Sequence, residues 1–178
     1  MSPIISSLLL SYLGIAVAMA LLWAWQLRSG RGSVVDIFWT AGVAVLSCIQ
    51  LLLVCETPDS RQWLAAALIT GWAVKLNTIL IVRIQQLPED GRYEALKESW
   101  KSRASQRMFY FFQLQAIACM LFALPFCLIA QAMGPLNSLD LVGVAIWTLG
   151  VAGGLIADIQ LTSFRLNPKN RGEVCDRG

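Results

Sequence analysis

Five long apolar runs constrain this chain more than any other feature, because each is about the length of a membrane-crossing helix. At 1.5 Å per residue, about 20 apolar residues traverse the hydrocarbon core of a bilayer. The runs cover residues 4–27, 34–54, 63–82, 108–130 and 139–161. Only 14% of the 178 residues are charged and 57% are hydrophobic, whereas soluble domains carry about a quarter charged residues. The expected fold is therefore all-α: a single polytopic membrane bundle over residues 1–178. The first run lacks a basic leading segment and a small-residue cleavage signal, so it reads as a span rather than a signal peptide.

Loop charges give an orientation. Arg28 and Arg31 follow the first span, six basic residues lie between Arg83 and Arg107, and four lie from Arg165 to Arg177. Those twelve, of 14 basic residues in all, fall on one side of a five-span threading. Positive residues stay in the cytoplasm, so the N-terminus is expected outside and the C-terminus inside. An odd number of spans requires the same. The expectation is a multi-pass protein of a bacterial inner membrane, with lipid as a partner. The +3 net charge follows from this orientation and gives no surface for nucleic acid.

The loop over residues 83–107 carries a short amphipathic helix. Tyr93, Leu96 and Trp100 share one face, while Glu94 with Lys97 and Glu98 with Lys101 are spaced for pairing on the other. Such a helix is expected to lie on the cytoplasmic surface. Residues 162–178 form the cytoplasmic tail.

Several chemistries are excluded by composition. The chain has no histidine, the commonest metal ligand and a frequent general base. Cys48, Cys55, Cys119, Cys127 and Cys175 form no CxxC pair, so neither a zinc nor a redox site is expected.

Three ionisable residues break the apolar runs. Asp36 stands early in the second, where a helix dipole alone would favour it. Lys75 stands in the third, within snorkelling range of its end or else paired with an acid. Asp158 stands late in the fifth. Charges inside a membrane are costly and face the bundle interior. Gly150, Gly154 and Asp158 recur every fourth residue, and Thr162 and Arg165 continue that face. Small residues there allow close approach of another helix, including one from a second copy. The helix should end near Leu166, because Pro168 cannot continue the ladder. Basic residues beyond it suit either a nucleotide or anionic lipid.

The stretches "SVVDIFWTAG", "GWAVKL", "PEDGRYEALKESW", "FFQLQA" and "ADIQLTSFRLNPKNRGEVCDRG" together resemble the DUF1295 membrane proteins, relatives of the steroid 5-alpha-reductases. The resemblance spans nearly the whole chain. It implies a bundle of about seven helices, of which this chain would form a part. It also implies NADPH as cofactor and hydride transfer to the activated double bond of a lipid-like enone. Asp158 and Arg165 match an acid and an arginine seven positions later that contact the cofactor in the reductases. Asn167, Arg171 and Arg177 extend that cofactor set. Asp36 is the acid nearest the substrate carbonyl and the candidate catalytic residue. Trp72 stands where the reductases have a tyrosine, and with Lys75 is expected to face the substrate.

Family members continue past "DRG" into an aromatic segment with an Arg-His-Pro-Asn-like motif. The resemblance therefore implies a chain truncated at its C-terminal end and inactive by itself. Two other readings stand beside the reductase. One is a non-enzymatic remnant or scaffold associating through glycine-rich faces. The other is a membrane methyltransferase akin to the isoprenylcysteine carboxyl methyltransferases.

Overall fold

The structure, a computed structural model, describes residues 3–52, 57–132, 134–170 and 173–176. Cys55, Arg171 and Arg177 lie outside the described residues. The described residues are all-helical, without strands. Six α-helices follow in order: α1 (Pro3–Ser29), α2 (Val34–Leu52), α3 (Ser60–Gln86), α4 (Gly91–Trp100), α5 (Ala104–Ile129) and α6 (Ser138–Leu166). A 3-10 turn at Lys101–Arg103 joins α4 to α5, and another at Pro168–Asn170 follows α6.

Five of these helices are long and apolar enough to cross a membrane, with α4 leading into the fourth. Large apolar side chains such as Leu10, Leu21, Leu128, Leu139 and Leu149 point outward and are exposed. On a soluble protein such faces would form an adhesive surface. On an integral membrane protein they meet lipid, and this chain is an integral membrane protein.

The core lies where α2 and α5 pack together, with α1 and α3 flanking them. The inward stripe of α5 is Met108, Phe112, Ala116, Cys119, Ala123 and Cys127, spaced as one helical face. Small residues in it let α2 come close. A β-carbon on Gly42 of α2 would lie 2.8 Å from the Ile15 side chain and 3.0 Å from Cys119 Sγ. The buried hydroxyls of Thr40 and Ser47 donate to the carbonyls of Asp36 and Val43 in their own helix, so no lipid-facing group is needed to satisfy them.

The spans are longer than hydropathy indicates. α3 runs to Gln86 and α6 to Leu166, so residues 83–86 and 162–166 are helical. Lys75 therefore stands 11 residues, about three turns, from the end of α3. α6 ends where Pro168 predicts. Asn167 is its C-terminal cap, and the Asn167 side chain accepts from the Lys169 amide at 3.1 Å.

α4 is amphipathic, with Tyr93 on its inward face and Arg92, Glu94 and Glu98 exposed. Its aromatic face does not lie free on a surface: Tyr93 is 3% exposed, meets Phe111 edge-on at 6.0 Å, and closes one end of the core with Trp100 packed beside it. Lys97 reaches back to the Gly30 carbonyl and to Glu89, 3.7 Å away, instead of to Glu94. The reason is local. The α1–α2 turn sits directly beside α4 and presents acceptors that a helix neighbour cannot match.

α6 is the outlier. None of its described residues is buried, and it packs chiefly on α3. At one end Arg61 meets Asp140 through two 3.0 Å hydrogen bonds. Further along, Trp147 crosses α3 near Gly71.

Candidate functional site

The ionisable residues that broke the apolar pattern converge at one end of the bundle. Lys75 Nζ donates to Asp158 at 2.7 Å, and Arg83 donates to the other Asp158 oxygen at 3.1 Å. Arg83 also donates to Thr162 Oγ1 at 3.0 Å. One carboxylate on α6 thus holds two cations from α3. A β-carbon at Gly154 would lie 3.3 Å from Lys75 Nζ, so glycine at this turn leaves a path for the lysine to cross to Asp158. Sequence reasoning counted Arg83 only as a loop charge. Its spacing of eight from Lys75, roughly one helical face, was the available signal.

Next to this cluster a cavity of about 270 Å³ opens between α2, α3, the α3–α4 loop, α4 and α6. Asp36, Arg83, Glu89, Asp90, Arg92 and Arg165 reach its wall. Asp36 accepts from Tyr93 Oη at 2.7 Å and from Arg92 at 3.4 Å. Arg165 lies 3.8 Å from Asp90. The structure therefore gathers Asp36 and Arg165 around one space and places Asp158 behind Arg83. Asp158 itself faces a second, largely apolar groove of about 330 Å³ on the other side of the α3–α6 contact.

Trp72 is not brought to the cavity wall. It meets Trp39 edge-on at 6.2 Å and packs against the core. Lys75 is engaged by Asp158 and is likewise off the cavity wall. Among the described residues, no group of three or more metal-ligating side chains occurs.

Glu89 ties the site together. Its carboxylate accepts the backbone N–H groups of Gly32 and Ser33, at the start of α2, where the helix dipole favours an anion. Arg31 donates to the Ile84 carbonyl from the same turn. Burial raises the Glu89 pKa, but the hydrogen bonds from Ser33, Gly32 and Asp90 outweigh it and hold the group below its ordinary 4.5. Asp90 also lies below its ordinary value: desolvation opposes this, and the Arg92 hydrogen bonds with the charge of Arg165 outweigh it.

A depressed folded pKa means that this stabilisation is present above the unfolded value and lost as pH falls through the folded one. The wild type is therefore expected to lose thermal stability as pH drops below 4.5. Glu89→Gln should be less stable at neutral pH and should show a shallower acid limb, with Asp90 supplying the remainder. Parallel melting curves of the two proteins from pH 7 downward, run in detergent, check this; superimposable slopes would refute the Glu89 clamp.

The model of the family described as "Protein of unknown function (DUF1295)" matches residues 22–178. The chain belongs to the DUF1295 family. The match takes in α2 to α6 and every described residue of the cavity wall. No curated protein matches this chain, and no solved structure does.

Proposed function

We propose that this DUF1295 protein is an NADPH-dependent reductase of lipid-like enones, of the steroid 5-alpha-reductase type. The observation that carries the reading is the cavity wall, where two arginines stand among carboxylates. Asp90 holds Arg92 through hydrogen bonds of 3.0 and 3.1 Å, whereas Arg165, 45% exposed, lies 3.8 Å from Asp90, beyond hydrogen-bond length. Arg165 can swing toward a diphosphate, for which the planar guanidinium is well suited, with the fixed Arg92 beside it. Asp36, 3.4 Å from Arg92, would accept a ribose hydroxyl. A volume of about 270 Å³ is just below the usual range of about 300–1,000 Å³ for small-molecule pockets. It suits one nucleotide half of the cofactor, the rest extending along the end of α6 past Asn167.

NADPH would supply the hydride. The chain's own contribution is to orient and to exclude water. Tyr93 fixes Asp36, Glu89 locks the α1–α2 turn under the cavity, and Arg83 links its wall to Asp158. The apolar groove on the far side of α3 and α6 suits a lipid-like substrate arriving from the bilayer. Trp72, packed in the aromatic core, would support the fold of that region, and Lys75 would position Asp158.

The test is calorimetric titration of NADPH into the purified chain. Saturable binding is expected, and Arg165→Ala should weaken it by about tenfold, equivalent to about 1.4 kcal/mol. Trp72→Phe should leave it unchanged. No binding up to about 1 mM, where even an interaction of about 4 kcal/mol is visible, would sink the reading.

A further inference from the structure

Away from the cavity, the turn between α4 and α5 and the first helical turn of α5 carry three cations in seven residues and no acid: Lys101, Arg103 and Arg107. Among the described residues, none of the three has a carboxylate within ion-pair distance. Beside them is a pocket of about 540 Å³. Its floor is aromatic. Trp23 of α1 meets Phe109 edge-on at 5.1 Å, and Phe109 meets Tyr110 at 5.9 Å. Its rim is polar, formed by Ser102, Arg103 and Gln106. Trp23 Nε1 donates to the Ser105 carbonyl at 3.0 Å, which pins α1 to the start of α5 and fixes the floor.

We propose that this pocket seats the headgroup of an anionic phospholipid. Depth supports it. Trp23 lies six residues before the end of α1, and Phe109 five residues into α5. At 1.5 Å per residue both rings sit about 8–9 Å inside the helix ends, close to the limits of the first and fourth apolar runs at residues 27 and 108, where an interfacial position is expected. Tryptophan and tyrosine concentrate there because their rings are amphipathic. Charge supports it as well. An anionic phosphate at the rim would meet Arg103 and the Ser102 hydroxyl, with Lys101 and Arg107 flanking, and would displace no existing ion pair. The glycerol and first methylenes would lie on the Phe109 and Tyr110 rings. A zwitterionic headgroup satisfies this site less well, since its own cation would face three others.

The test extracts the full chain from mixed bilayers of phosphatidylglycerol and phosphatidylcholine and counts retained lipids by native mass spectrometry. Preferential retention of phosphatidylglycerol is expected. Arg103→Gln combined with Arg107→Gln should reduce it by about tenfold or more, and Lys169→Gln, a cation beyond α6, should not. Arg103 and Arg107 are exposed, and a melting curve checks that the bundle persists. Should the double variant fail to fold, Tyr110→Ala carries the test, with weaker retention expected. Equal retention of the two lipids, or retention unaffected by these changes, would overturn the proposal. Displacement of the lipid by millimolar inorganic phosphate would overturn it too, by reducing the site to a simple anion patch.

Discussion

Asp158→Ala is expected to destabilise the bundle by about 2 kcal/mol, less than the range of about 3–5 kcal/mol for removing one partner of a fully buried ion pair, because this cluster is half-buried. Asp158 is the shared counterion of Lys75 and Arg83. The side chains of all three are 16–22% exposed, and Lys75 is about three turns from the helix end. Without the carboxylate, the ammonium remains in an apolar environment with no acid beside it. Arg83 suffers less, because it stands three residues from the end of α3 and lines the cavity. α6 should also loosen, since it contributes no buried side chain and its α3 contact depends on this cluster.

A compensating variant separates charge from packing. Lys75→Met together with Asp158→Ala should recover most of the loss, because both of these paired charges are then gone. Reversible unfolding in detergent, followed by circular dichroism, measures all three proteins. If the double variant were as unstable as Asp158→Ala, the cost would lie in helix packing instead of the stranded lysine.

The second large effect is expected at the opposite end of the bundle. Gln62→Leu should cost about 2 kcal/mol. Gln62 is completely buried and makes three hydrogen bonds. Its amide donates to the carbonyls of Ile129 at 3.0 Å and Ala132 at 3.1 Å, and its Oε1 accepts from the Asp59 amide at 3.1 Å. The first two satisfy carbonyls at the end of α5, and the third completes the capping box of α3. Leucine has similar volume, so no large cavity forms, but the Asp59 amide and the Ala132 carbonyl lose their Gln62 partner, while the Ile129 carbonyl keeps the Ala132 amide at 3.0 Å. Each such loss costs about 1 kcal/mol or more when the group stays dry. Gln62→Glu is the informative control. It keeps the acceptor for Asp59 and loses the donors, so it should retain part of the stability at neutral pH and more in acid. A Gln62→Leu protein as stable as wild type would show that water reaches these carbonyls.

The sequence by itself determined the membrane character, the number of spans and the end of α6. Apolar length alone sets what can cross a bilayer, and Pro168 marks where α6 stops, whereas the Asp59 and Asn137 caps of α3 and α6 emerged with the structure. The family was also legible, because its motifs run through the chain in order. That Lys75 and Asp158 needed partners was legible too, since an unpaired charge in hydrocarbon is costly.

Which partners they took was decided only by tertiary structure. Lys75 and Asp158 are 83 residues apart, and their meeting depends on the axial register of α3 against α6. That register is a property of two packed surfaces, which no local pattern encodes. The same holds for Arg165, which stands seven residues after Asp158 on one helical face yet meets Asp90 of the α3–α4 loop. Glu89 had no local signal at all. It became the cap of α2 because the folded α3–α4 loop carries it to two free amides at the start of another helix. Trp72 likewise meets Trp39, 33 positions earlier in the chain, edge-on at 6.2 Å, a neighbour no local pattern names. Local chemistry specified which groups needed neighbours, and helix packing selected the neighbours.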